Sequence, residues 1–345
     1  MSHRVHPIPA IIDLPLNEIV DQRRIARIAS GAALTAAVHA GLHLPVVWSA
    51  EPREASETHF EELARAVPAD IDVIYGIGGG LAADAAKYVA WCRSLPLALI
   101  LDDNPLIFAP HSVAWCRSLP LALIPTALSV DAHFTWVSGV RRNGCVAYLD
   151  TGPAQVVYAD DGFLAHAPPH LRAAGVCDLL SIATALHDWR YAEERGMNPP
   201  EQRYTPWVAM AAQAILDGAI TVAEAAGRGD PEGIRELLRL LALEVQLCNL
   251  IGHSRPEEGS EHYLAYALEA HPSIGSGHAH GDLVGPAILR AAAWQGQQVA
   301  PLEQALIQAG VPLDRVPETV MQEVIRELPS YVRRHHLAFS TAHDL

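Results

Sequence analysis

Between residues 71 and 87 the chain passes from an apolar strand pattern, Ile71-Asp72-Val73-Ile74-Tyr75, through Gly76-Ile77-Gly78-Gly79-Gly80 into an alanine-rich helix pattern reaching Lys87. Strand, glycine turn and helix in that order constrain the fold more than any other feature, because the unit belongs to parallel α/β sheets. Glycine at the strand end leaves no Cβ in the way of an approaching group. The helix start behind it presents unpaired N–H groups and the positive end of the dipole, which suits a phosphate or pyrophosphate. The turn departs from the G-x-G-x-x-G dinucleotide pattern, since Leu81 stands at its sixth position. On spacing alone, a plain tight turn and a phosphate cradle are both open.

The rest of the N-terminal half continues the α/β reading. β-branched and apolar runs predict strands at 44–48, 71–75, 95–101, 119–124, 135–140, 146–149 and 156–158. Asn143-Gly144 is a type I′ turn signal and predicts a hairpin between its flanking strands. Beyond Pro168-Pro169 the pattern becomes helical, over 171–195, 206–227, 231–251, 258–269, 282–295 and 317–336. The expected architecture is an α/β N-terminal nucleotide-binding domain with a parallel sheet, residues 1–165, followed by an all-α C-terminal domain, residues 166–345. A chain of 345 residues has room for both.

One stretch occurs twice. Val89-Ala90-Trp91-Cys92-Arg93-Ser94-Leu95-Pro96-Leu97-Ala98-Leu99-Ile100 recurs unchanged at 113–124, at an offset of 24 residues. Two short copies make a tandem duplication, not a solenoid. Only the second copy runs directly into Pro125-Thr126, so that copy is expected to occupy the native strand.

Charge and cysteine usage exclude some partners. The formal net charge is −15, which argues against a broad nucleic-acid surface. Five cysteines without paired spacing read as reduced thiols in an intracellular protein. The N-terminus lacks the apolar core of a signal peptide, and no uncharged apolar run reaches the ~18 residues of a membrane helix. A cytoplasmic homo-oligomer acting on a small molecule, with no nucleic-acid or membrane partner, is the expectation. Lys87 is the only lysine, and a helix-surface position is expected for it.

Further segments follow the glycine turn in order: Pro125-Thr126-Ala127-Leu128-Ser129-Val130-Asp131, Ala174-Gly175-Val176-Cys177-Asp178, Ser254-Arg255-Pro256 with Gly259-Ser260-Glu261-His262, and His280-Gly281-Asp282. With the G-G-G-x-x-x-D-x-A-K of the turn, this set resembles the iron-containing alcohol dehydrogenase and dehydroquinate synthase superfamily over residues 70–290, and within it the sn-glycerol-1-phosphate dehydrogenase branch.

The resemblance implies a divalent cation held by Asp178, His262 and His280. Zinc is the first expectation, and a His₂Asp set also admits iron or nickel. The two histidines lie 18 residues apart, a span that a helix and the Gly- and Ser-rich segment 273–277 can fold back to one point. His278 is the rival to His280, while His187, His253 and His271 read as bystanders. Cys177 stands where the family has Gly, as a buried small side chain or a soft ligand. Asp282 stands where it has Glu.

The resemblance also implies NAD or NADP, bound at Gly78, Gly79, Gly80, Asp84, Thr126 and Ser129. Glu51 is a loose candidate for the ribose. Asp131 is implied as a substrate-contacting group that takes part in proton transfer. Arg255 is a candidate for a substrate phosphate because its guanidinium presents a planar fork of donors. Arg141 and Arg142, beside the turn, read as a solvated hairpin tip. The implied reaction interconverts a small polyol, or polyol phosphate, and its ketone. Two alternatives stand beside it. A sugar-phosphate cyclase of the dehydroquinate synthase type lacks support from an H-x-F-G-H pattern or several lysines. A catalytically impaired relative is set against the intact ligand set.

Overall fold

Six short strands build one parallel sheet: β1 (Ala10–Asp13), β2 (Ile25–Ala29), β3 (Val46–Ala50), β4 (Val73–Gly78), β5 (Leu121–Pro125) and β8 (Val156–Ala159), in the order β1-β8-β5-β4-β2-β3. The structure, a computed structural model, describes residues 5–94, 119–275 and 278–345. Every residue of β4 and β5 is buried, as expected of central strands covered on both faces. Helices α1 (Gly31–His39), α2 (Glu57–Ala66) and α3 (Gly80–Ser94) lie between the strands. The chain steps from β2 outward to β3, then returns to β4 on the other side of β2. The strand order therefore reverses between β2 and β4, and ligands of open α/β sheets bind at such a reversal, beyond the carboxyl ends of the strands.

A separate antiparallel hairpin joins β6 (Val137–Arg142) to β7 (Cys145–Asp150). Its turn is the expected one: Asn143 and Gly144 both have positive φ, 54° and 77°. After β8 the chain is helical: α4 (Asp161–Leu164), α5 (Pro169–Leu180), α6 (Ile182–Glu194), α7 (Pro206–Arg228), α8 (Pro231–Ile251), α9 (Ser260–Ala270), α10 (His280–Trp294), α11 (Val299–Ala309) and α12 (Glu318–Arg334). The main apolar core extends from Ile28 and Leu123 in the sheet through Leu128 to Leu237 and Leu264 in the helices.

Several expectations are corrected. Strands β1 and β2 and helix α11 were not predicted. The single helix expected over 171–195 is two, α5 and α6. They meet at Ser181, whose hydroxyl donates to the Asp178 carbonyl at 2.5 Å and the Glu257 carbonyl at 2.7 Å. Lys87 is not at the surface. It is 1% exposed, and its ammonium faces Asp84 at 3.1 Å and donates to the Val137 carbonyl.

The second copy of the duplication forms β5, as expected. The first copy begins as the last turns of α3, and the strand expected at 95–101 lies outside the described residues, as does Cys116. Among the described residues, α7 has the length and apolarity to cross a membrane. It buries Val208, Ala212, Ile215 and Ala219 in the core, packing against α5, α8 and α11.

Candidate active site

The glycine turn sits at the strand-order reversal. Ser30, after β2, donates its N–H to the Ile77 carbonyl at 3.3 Å. A Cβ on Gly78 would lie 2.6 Å from Ser30 Oγ and 2.8 Å from Ala82 Cβ, and its φ is +151°. That position admits glycine alone. Gly79 is different, because a Cβ there would meet nothing nearer than Ser129 Oγ at 3.6 Å. The backbone at Gly79 is therefore open on the side where its Cβ would stand. Thr126 donates its N–H to the Gly78 carbonyl at 3.1 Å, so the ends of β4 and β5 are tied together. Glu51, at the end of β3, accepts the Gly31 N–H at 2.6 Å and so occupies the start of α1.

Three helices bring the expected metal ligands together. Asp178 comes from α5, His262 from the first turn of α9, and His280 from the first residue of α10. One ligand atom from each lies within 4.8 Å of the others. Asp178 Oδ1 is 3.4 Å from His280 Nε2 and 3.7 Å from His262 Nε2, and the two Nε2 atoms are 3.2 Å apart. Asp178 Oδ2 faces away, accepting the Asp131 N–H at 3.0 Å. Nδ1 of His262 faces Glu261 Oε1 at 3.0 Å, which directs Nε2 to the common point. Two imidazole nitrogens and a carboxylate oxygen converging in this way fit a divalent cation with positions left open for substrate. His278 is exposed and takes no part in this convergence. Cys177 is a buried packing residue and no ligand: its thiol faces the Gly281 carbonyl at 3.7 Å.

Electrostatics around these groups follow from burial and proximity. Burial works to raise the Asp178 carboxyl, but the two imidazoles outweigh it and hold the group well below the usual carboxylate range. Burial likewise opposes protonation of His262, and Asp178 and Glu261 reverse that and raise it. Asp131 is pushed up to about 7, by burial first and then by the charge of Asp178.

A cavity of about 480 Å³ opens between the glycine turn and the helices, lined by Gly80, Asp84, Ser129, Asp131, Asp178, His262 and His280 among others. Arg255 is not in it. That guanidinium is 3% exposed and donates to the carbonyls of Asp188 and Phe339, at 3.1 and 2.9 Å. Arg141, by contrast, lines the cavity and pairs with Glu269 at 2.9 Å, while Arg142 pairs outside it with Glu57. His253, read as a bystander, also lines the cavity.

The sequence reading missed Glu244, Glu257 and Glu258 on the wall, and the chain of hydrogen bonds from Tyr148 to Tyr266 (2.9 Å) to Glu258 (3.1 Å). Tyr266 stands one turn after His262 on α9, a spacing that could have pointed to it, whereas Glu258 lies just before that helix and is reached by the Tyr266 hydroxyl.

The iron-containing alcohol dehydrogenase family model matches residues 19–148. The glycerol-1-phosphate dehydrogenase [NAD(P)+] of Methanothrix thermoacetophila is 26% identical, over 83% of this chain and 73% of that protein. Among solved structures, the iron-containing alcohol dehydrogenase of Thermococcus thioreducens superposes with a TM-score of 0.65 at 18% identity, over 99% of this chain and 95% of that one. The glycerol dehydrogenase of Schizosaccharomyces pombe superposes with a TM-score of 0.64 at 16% identity, over 100% and 86%. These structures share the fold.

Proposed function

We propose that this chain, a relative of the iron-containing alcohol dehydrogenases, is a metal-assisted, NAD(P)-linked dehydrogenase that interconverts a small polyol and its ketone. The observation that carries the reading is the convergence of Asp178, His262 and His280 on a cavity that also reaches Gly80 and Ser129 beside the glycine turn. When bound, the cation would supply Lewis acidity toward a substrate oxygen, and the nicotinamide would exchange hydride with the adjoining carbon.

The chain's own groups do the rest. Gly78, Gly79 and Gly80 present backbone at the start of α3 for a pyrophosphate. Asp84, fixed by Lys87, and Ser129 stand on the same wall of the cavity. Asp131 lines the cavity with a carboxyl raised to about 7, poised to exchange a proton with a hydroxyl near neutral pH. A site built from one dehydrogenase-type ligand set, with its sole lysine committed to Asp84, gives the cyclase reading no general acid–base lysine.

The test is NADH and NADPH oxidation with zinc-, iron- or nickel-loaded protein over a panel of small hydroxyketones. We expect turnover that a chelator abolishes and added metal restores. His262→Ala should lose bound metal and activity together. Undiminished turnover in metal-free protein, or no turnover with any ketone, would reject the proposal.

A further inference from the structure

We propose that the cavity is built for an unphosphorylated, donor-rich substrate, a polyol or amino polyol, and that Glu244 and Glu257 read its hydroxyl or ammonium groups. The inference rests on the dehydrogenase reading above and narrows it.

Charge on the cavity wall carries the argument. Six carboxylates line it: Asp84, Asp131, Asp178, Glu244, Glu257 and Glu258. Three have partners: Asp84 has Lys87, Asp178 has the two imidazoles and the Asp131 N–H, and Glu258 accepts from Ser254 Oγ at 2.9 Å and Tyr266 OH at 3.1 Å.

Glu244 is different. It is 3% exposed, it projects from α8 into the cavity wall, and no described protein group hydrogen-bonds either of its oxygens. Glu257 lies close enough to couple with it electrostatically, and its Oε2 also lacks a partner. Burial first, then nearby carboxylates, push both carboxyls up: Glu257 acts on Glu244, and Asp131 and Asp178 act on Glu257. Buried acceptors without donors are costly unless a ligand completes them.

The cationic side matches. Among the described residues, Arg141 is the only arginine on the wall, and it is paired with Glu269. Arg255 lies off this wall, its Nη2 donating to two carbonyls, and Lys87 is sealed beneath Asp84. A phosphate would find no unpaired guanidinium or ammonium on this wall among the described residues, and those of its carboxylates that are ionised would repel it. A hydroxyl or an ammonium would satisfy them. A site whose polar groups require donors discriminates steeply against a ligand that lacks them.

The experiment uses metal-loaded protein with NADH. Dihydroxyacetone, its 1-amino analogue and dihydroxyacetone phosphate are compared by kcat/KM. Binding of glycerol, 2-amino-1,3-propanediol and sn-glycerol 1-phosphate is followed separately by titration calorimetry. We expect the unphosphorylated compounds to be preferred at least tenfold over the phosphate ester. Glu244→Leu should lower that preference about tenfold or more, chiefly through KM.

Glu244→Gln keeps the shape and a hydrogen-bonding amide. It should retain the hydroxyl substrate and lose the amino one if the natural group is an ammonium, and affect both equally little if it is a hydroxyl. Preference for the phosphate ester, tighter binding of glycerol phosphate, or a preference unchanged in both variants would overturn the inference. Selective binding of the unphosphorylated compounds without turnover of any ketone would sink the dehydrogenase reading and leave this one standing.

Discussion

Glu261 Oε1 lies 3.0 Å from Nδ1 of His262, so the imidazole is fixed from behind and its Nε2 is the atom that faces Asp178 and His280. Glu261 is itself fully buried, with Oε1 accepting the Gly259 N–H at 2.7 Å and Oε2 accepting the Thr184 hydroxyl at 2.7 Å. A carboxylate behind a ligand histidine sets its tautomer and raises its basicity. We predict that Glu261→Gln weakens metal affinity about 10- to 100-fold while leaving a folded protein. Competition with a chromophoric chelator measures it. Affinity equal to that of the unsubstituted protein would remove Glu261 from the metal site.

The glycine turn offers a paired prediction. Gly79→Ala adds a methyl where 3.6 Å of space is available, so melting temperature should change little. If the backbone there cradles a pyrophosphate, the methyl blocks its approach and NADH affinity should fall tenfold or more. Gly78→Ala meets Ser30 Oγ at 2.6 Å and a positive φ, and should cost on the order of 1–3 kcal/mol of stability. Fluorescence titration with NADH and thermal melts separate the two effects. A Gly79→Ala protein that binds NADH normally would place the cofactor elsewhere.

The pattern of what the sequence disclosed has physical causes. The candidate metal-ligand set was legible through the resemblance because Asp178, His262 and His280 each sit in a short motif, and three helices bring those motifs together. The strands β4 and β5 were legible because both faces are buried and the runs are continuously apolar. β2 was not, since Arg27 interrupts Ile25–Ala29 and reads as a break; in the fold its guanidinium finds Ser49 Oγ at 3.1 Å. β1 is four residues long at the sheet edge, too short for a periodic signal.

Charged residues misled for a related reason. Arg255 lies within a recognisable motif, but its direction depends on the C-terminal segment that supplies the Phe339 carbonyl. Glu244 looks like any glutamate on an amphipathic helix until α8 is packed and its buried face is known.

His133 supplies a pH dependence. It is 1% exposed, its Nε2 is 3.1 Å from the Gly78 carbonyl, and burial lowers its imidazole from 6.5 to about 4. Between those values the unfolded chain takes up a proton that the folded chain excludes, so stability falls as pH drops through that window. The contribution lost between about pH 7.5 and about pH 5 is on the order of 2 kcal/mol. His133→Gln retains a donor for Gly78 and removes the titration. Urea unfolding of both proteins at the two pH values should show the variant less acid-sensitive by about that amount. Parallel pH profiles would mean that His133 is protonated in the fold.

The duplication permits a deletion that leaves the sequences of α3 and β5 unchanged. β5 is made by the second copy and lies between β8 and β4, while α3 ends in the first copy's Ala90-Trp91-Cys92-Arg93-Ser94. Removing residues 90–113 joins Val89 to Ala114-Trp115-Cys116-Arg117-Ser118, the same five residues, so the sequence of α3 is unchanged. The replacement tryptophan inherits the edge contact that Trp91 makes with Tyr88, at 5.5 Å between ring centroids. The replacement arginine inherits the hydrogen bond from Arg93 to the Pro68 carbonyl, at 3.0 Å. Leu119-Pro120 then becomes the connection to β5, within the roughly 2–6 residues usual for such links. We predict that the deleted protein folds, melts at the same temperature or higher, and binds NADH at least as tightly. A deletion protein that is insoluble, or that folds and loses NADH binding, would show that the 24 residues are part of the working sheet or cofactor site and that β5 alone does not complete it.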